Sequence, residues 1–234
     1  MLRKGFVYQD QATGKYGLGL KNLQLGAAAI KSINIRSIAR PYLEYVVEQC
    51  NETTNLVVFD AGDAVYVDQM ESSSMVKTMA ETGARLPAYC TGGGKALLAY
   101  RDPKEVEELY GTGPLETFTE KTIKSVQELK QVLNRIRIAG YAVDDEEREI
   151  GVKCVAAPIF DLTGQAIAAL SVSGPSFRLT DRVINQKIAQ LVMETSAILS
   201  RSLGYEKEGD LAGRRTRAGR EASSLGALMK SKQA

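Results

Sequence analysis

The sequence predicts an α+β fold, a mixed and mainly antiparallel sheet covered by helices. Three observations support it. Strand pairs are interleaved with helices along the chain, and a long strand hairpin arrives late, at 152–173. The third is a composition of 44% hydrophobic and 25% charged residues over 234 positions, enough to bury a sizeable core.

Residues 5–19 read as a small hairpin, because Phe6-Val7-Tyr8 and Tyr16-Gly17-Leu18 flank the turn-rich run Asp10–Gly14. A connecting helix is expected over 20–33. A second helix follows from Asn34 as cap, with Ile35, Ile38, Tyr42, Tyr45 and Val46 as its apolar face and a kink at Pro41. Residues 56–59 and 64–67 form the next hairpin, turned at Asp60-Ala61-Gly62-Asp63, and 75–79 is expected to be a strand. After the glycine run Gly92-Gly93-Gly94 comes a short helical stretch at 95–100, and Asp102-Pro103 caps a helix through Tyr110.

Ser125-Val126-Gln127-Glu128 is a capping box. The helix behind it turns Val126, Leu129, Val132, Leu133 and Ile136 to one face and ends at Gly140. A strand at 141–144, a charged loop and the late hairpin follow. That hairpin pairs 152–160 with 165–173 around Asp161-Leu162-Thr163-Gly164. A long last helix begins at Thr180 and closes at Gly204, burying Ile184, Ile188, Leu191, Val192, Thr195, Leu199 and Leu203. The tail, 205–234, has little to bury and is expected to be a disordered, solvated segment. It carries seven Lys and Arg against four Asp and Glu, so the chain's net +2 leaves the folded body at −1. The body is therefore no basic nucleic-acid surface of its own.

The composition excludes several chemistries. With no histidine, Ser-His-Asp and Cys-His catalysis are out of reach, as is the commonest metal ligand. Three cysteines cannot supply a four-cysteine zinc site, and their odd count fits free thiols in a reducing compartment. No apolar run approaches the roughly 20 residues that span a bilayer, and the first residues lack a secretory signal, so a cytoplasmic protein without membrane contact is expected. No cofactor and no metal site are implied.

Candidate chemistry gathers in two places. If the four residues 161–164 form the loop, Phe160 faces Gln165 and Cys154 lies directly opposite Ser171, with Ser173 on the same face. These polar groups either fill tight sheet packing or contact a ligand, since leaving them unpaired costs free energy. The run Thr91-Gly92-Gly93-Gly94-Lys95 either caps a helix or lets the backbone approach an anion such as a carboxylate. It is no Walker loop, because the positions that need glycine and a hydroxyl hold Tyr89 and Ala96. Asp144 differs from its acidic neighbours in ending a strand and could face a ligand's polar end. A thiol enzyme using Cys154 would need a cation beside the sulfur, but Lys153 points to the opposite face of the strand.

Six segments taken in order resemble the IclR family of bacterial transcriptional regulators. They are 6–26, Gly83-Ala84-Arg85-Leu86-Pro87, 91–99, Gly140-Tyr141-Ala142-Val143-Asp144, 151–158 and 171–180, the last holding Ser171-Val172-Ser173-Gly174-Pro175. The resemblance implies an α+β, GAF-like effector domain over 34–204, preceded by a linker helix at 21–33 and a remnant wing hairpin at 1–20. Most of the winged helix-turn-helix is missing, since a complete one needs roughly 50 more residues before the wing. DNA binding is thereby assigned to a full-length form, as a homodimer or homotetramer of repressor type. The resemblance places a small-molecule carboxylate effector on Gly92 and Gly93 as backbone donors and on Asp144, Cys154, Ser171 and Ser173 as polar contacts. Met75, Thr78 and Val152 are its implied walls.

Overall fold

The structure, a computed structural model, describes residues 4–11, 13–22 and 34–206. The chain divides into two compact units, Met1–Ile38 and Ala39–Ala234. In the first, strands β1 (Val7–Gln9) and β2 (Tyr16–Leu18) pair antiparallel with Val7 opposite Leu18, the hairpin that the sequence predicts. Residues 23–33 of the expected linker helix, and the tail from 207 on, lie outside the described residues.

Helix α1 (Asn34–Cys50) runs through Pro41 as one element rather than breaking there. Pro41 falls on the exposed side, where losing an N–H donor costs least because water can serve the backbone. Its fully buried residues are Ala39, Leu43 and Val46, one step round from the predicted Tyr42 and Tyr45.

Six strands build the main sheet. They are β3 (Thr53–Asp60), β4 (Asp63–Met70), β5 (Arg85–Pro87), β6 (Ala142–Asp145), β7 (Val152–Phe160) and β8 (Ala166–Pro175), in the spatial order β5-β4-β3-β8-β7-β6, with every neighbour antiparallel. The β3–β4 hairpin closes with Asp60 opposite Asp63 across Ala61 and Gly62, both at positive φ (49° and 93°), the tight turn that matches strand twist. No strand forms at 75–79. That segment lies in the loop between β4 and β5 with Met75 fully exposed, tied down by side chains rather than by ladder bonds: Thr78 Oγ1 donates to Ser173 Oγ and Arg178 donates to Val76 O.

One face of the sheet carries helix α2 (Gly92–Leu98) over β3, β7 and β8. Around it pack α3 (Pro103–Tyr110), capped by Asp102, and α4 (Val126–Ala139). The capping box works as predicted: Ser125 Oγ accepts from Glu128 N at 3.2 Å, and Gly140 ends α4 at φ 81°. Val57, Ala64, Ala142, Ala156 and Ala169 supply the sheet's side of this core, and Leu97, Leu129 and Leu133 belong to its helical side. Small residues on the sheet let α2 sit close. The opposite face is covered by the last helical run, α5 (Asp181–Val183), a π-helical stretch Ile184–Ile188, and α6 (Ala189–Ser202). Ser196 Oγ and Ser200 Oγ tie α6 to the backbone of Ala157 and Phe160.

The late hairpin differs from its predicted register. Cys154 lies opposite Ser173, not Ser171, and Ser171 lies opposite Ala156. Asp161 Oδ1 accepts from Thr163 N at 2.9 Å and Gln165 N at 3.1 Å, which draws Gln165 into the turn. A bulge at Ile159/Phe160 adds the second residue of slip. A slip of two keeps every side chain on its predicted face, so Cys154, Ser171 and Ser173 still face one way.

Candidate functional site

Two rows of side chains cross the centre of the sheet under the start of α2. In the first, Gln69, Asn55, Ser171 and Ala156 face one another across β4, β3, β8 and β7. In the second, Thr53, Ser173, Cys154 and Asp144 do the same across β3, β8, β7 and β6. A bulge at Leu56/Val57 resets β4 so that Tyr66 pairs with Val57 and joins the same face.

Asn55 organises the polar cluster. It is 1% exposed, and its Nδ2 donates to Ser171 Oγ at 3.3 Å and Ser173 Oγ at 3.1 Å. Thr78 Oγ1 donates to the same Ser173 oxygen at 3.0 Å, which holds the 71–84 loop to the sheet. The other amide atom, Asn55 Oδ1, is buried with no hydrogen-bond partner among the described residues, as is Gln69 Nε2 across the ladder. Buried acceptors and donors left open in this way cost roughly 1–3 kcal/mol each, a cost that a bound water or ligand would offset.

Above the cluster, α2 begins at Gly92, three residues earlier than the sequence suggests, with Thr91 Oγ1 accepting from Gly94 N at 3.2 Å. The glycines are there for space. A Cβ on Gly92 would meet Cys154 Sγ at 2.8 Å, and one on Gly93 would meet Val57 at 3.0 Å. Cys154 receives hydrogen bonds from the Gly93 backbone and from Ser171, but burial and the nearby Asp144 push its thiol up to about 12. At neutral pH it is a protonated thiol, not a nucleophile.

Asp144, 5% exposed, lies one residue before the end of β6, opposite Cys154, and accepts from Glu147 N at 2.8 Å. Burial lifts its carboxyl to about 7; Lys95 pulls it down, Glu147 pushes it up, and the backbone N–H groups of Glu147 and Arg148 pull it down further. Lys95, 1% exposed, spends its ammonium on Val143 O at 2.7 Å and on Glu147 Oε1, clamping α2 to the loop after β6. Burial likewise drives the Tyr66 phenol far above its ordinary value, with Cys154 and Asp144 adding to the effect.

Of the predicted site residues, Gly92, Gly93, Asp144, Cys154, Ser171 and Ser173 therefore come together. Thr78 joins them through Ser173, and Val152 lies on the same strand face one pair outward, opposite Pro175. Met75 does not join them, because its side chain is fully in solvent. Sequence reasoning missed Asn55, Tyr66 and Lys95. A polar residue alternating with Val57 in an apolar run was a signal for Asn55, but its partners lie more than 100 residues away.

An antiparallel six-stranded sheet with helices on both faces, and a glycine-started helix laid over a polar cluster at its centre, define the class of effector domains found in bacterial transcription regulators. The family model described as bacterial transcriptional regulator IclR C-terminal matches residues 27–201, and the chain belongs to that family. It is similar to the HTH-type transcriptional repressor AllR of Klebsiella pneumoniae, 35% identical over 206 residues that cover 88% of this chain and 75% of the relative. The crystal structure of Thermotoga maritima IclR superposes with a TM-score of 0.73 at 34% identity, covering 87% of this chain and 81% of that one. The inducer-binding domain of the PobR transcription factor from Acinetobacter, a double mutant in complex with 3-hydroxybenzoic acid, matches at a TM-score of 0.65 and 27% identity, over 70% of this chain and 96% of that one.

Proposed function

We propose that this chain is the ligand-responsive part of a DNA-binding repressor, and that a small organic acid docks on the two polar rows beside the N-terminus of α2. The observation that carries the reading is Ser173, whose Oγ accepts from both the buried Asn55 Nδ2 and Thr78 Oγ1 and so has its own O–H to donate to a carboxylate. In this reading the acid's carboxylate takes hydrogen bonds from the Gly92 and Gly93 backbone and from Ser171 and Ser173. Cys154 and Asp144 form the rest of the floor, and Thr78 and Val152 stand at its rim. A carboxylate beside Asp144 is tolerated because that carboxyl, at about 7, takes up a proton without large cost. The aromatic acid held by the PobR domain supports the ligand class.

The repressor role follows the names of the curated relatives. Operator binding is assigned to a full-length winged helix-turn-helix whose wing corresponds to 1–20, and 34–204 acts as the effector domain of a homodimer or homotetramer in the cytoplasm. Among the described residues no helix is long and apolar enough to cross a membrane. In this reading Cys154 is a binding-site wall and not a nucleophile, since burial holds its thiol protonated.

The test is a thermal-shift and calorimetry panel of small mono-, di- and aromatic carboxylic acids. At least one acid raises the melting temperature in a concentration-dependent way in the native chain and fails to do so in Asn55→Ala. A panel in which no acid stabilises the chain refutes the reading.

A further inference from the structure

A cleft of about 400 Å³ opens at the far end of β7, beyond the polar rows. β6 pairs with β7 only over 153–156, so Ala157, Pro158 and Phe160 have no strand outside them and line the cleft. Met193, Ala197 and Arg201 recur every four residues of α6 and so form one row along its surface, which lines it too. Past α6, Gly204 at φ 88° turns the chain back, and Tyr205 stacks on Phe160 with 4.9 Å between ring centroids. Tyr100, just beyond α2, meets Phe160 edge-on, also at 4.9 Å. Arg137, in the last turn of α4, completes the lining. Its Nε donates to Ala99 O at 2.7 Å, which holds the guanidinium and leaves its terminal amino groups to donate elsewhere. Among the described residues neither Arg137 nor Arg201 has an ion-pair partner, and no Asp or Glu lines the cleft. Two unneutralised guanidinium groups select an anion, and their planar forks fit a carboxylate. The three rings, with Met193 and Ala197, suit a flat apolar body, and the volume is that of a small-molecule site. The chain's own 205–234 segment is a poor occupant, because its seven Lys and Arg against four Asp and Glu give it the cleft's own sign of charge.

We infer that this cleft is a second binding site, separate from the effector site, and that it takes a flat aromatic carboxylate. Arg137 and Arg201 hold the carboxylate, and Tyr100, Phe160 and Tyr205 hold the ring. The two sites stand at opposite ends of α2, roughly 10 Å of helix apart. Gly92 starts that helix beside the polar rows, and Ala99, directly after its last residue, accepts the Arg137 bond.

Calorimetry on the full chain with benzoate, its neutral counterpart benzamide and the puckered cyclohexanecarboxylate tests it. Benzoate should bind at least about tenfold more tightly than either of the others, the size of one charge-assisted contact. Arg201→Gln should weaken benzoate by about tenfold and change benzamide by less than about twofold. Ala197→Trp, at an exposed helix position where the larger side chain does not disturb the core, should fill the cleft and abolish this binding. Asn55→Ala, which damages the effector site, should still bind one benzoate per chain. Where that variant does not fold, the stoichiometry of the otherwise native chain decides, and Ala197→Trp should lower it by one. A native chain that binds benzoate no better than benzamide or cyclohexanecarboxylate overturns the inference. So do Arg201→Gln and Ala197→Trp variants that bind benzoate as the native chain does. Loss of all benzoate binding in a folded Asn55→Ala also overturns it, by assigning the acid to the effector site. Each of these failures leaves the small-acid reading of the polar rows standing.

Discussion

Asp144 offers the sharpest test of the site's electrostatics. Burial lifts its carboxyl from 3.8 to about 7, so ionising it in the folded chain costs about 4 kcal/mol more than in the unfolded one, at about 1.4 kcal/mol per pH unit. A group held above its unfolded value binds its proton more tightly when folded. Its contribution is therefore fully present below about pH 4, declines as the pH rises from about 4 to about 7, and is level above that. Glu147 is raised by the same burial, and Asp145, Glu146 and Asp161 are lowered, so the whole-protein profile mixes opposing slopes. Comparing the native chain with Asp144→Asn isolates the one group, because asparagine keeps an oxygen to accept the Glu147 N–H. Denaturant unfolding at pH 4.5, 5.5, 6.5 and 7.5 should show the variant gaining on the native chain by about 3 kcal/mol across that range. Profiles that stay parallel within about 0.5 kcal/mol refute the account of a buried, destabilised carboxyl. The same proton links to the ligand. Affinity for a carboxylic acid should fall by up to about tenfold per pH unit above 7 in the native chain, and much less in the variant.

Two further substitutions probe how α2 is held over the site. Gly92→Ala puts a methyl within 2.8 Å of Cys154 Sγ and should destabilise the chain by about 1–3 kcal/mol, measured by denaturant unfolding. Adding Cys154→Ala should recover much of that loss, and independent, additive costs would show that the contact is not the cause. Lys95→Met leaves Glu147 buried without its cation and should cost about 3–5 kcal/mol, while Lys95→Met with Glu147→Leu should be closer to neutral.

The sequence by itself determined the local elements, because each is set by chemistry within a few residues. Ser125 and Glu128 cap α4, Gly140 ends it in a conformation that a side chain resists, and Asp102-Pro103 starts α3. The alternation of strand side chains also determined that Cys154, Ser171 and Ser173 share a face, and this survived a slip of two residues because parity is blind to even shifts. Only the tertiary structure decided which residue meets which. The Asp161 carboxylate captured Gln165 and lengthened the turn, and the bulge in β7 moved the register again, so Cys154 met Ser173. Thr78 and Arg178 tied 75–79 down as a loop rather than as a strand, which put Met75 in solvent. The site's organiser was likewise out of reach of local reasoning. Asn55 acquires its role from serines 116 and 118 residues away, which only the strand order β4-β3-β8-β7 brings beside it. Backbone propensity and turn chemistry act over a few residues, whereas ladder order and burial are properties of the whole sheet.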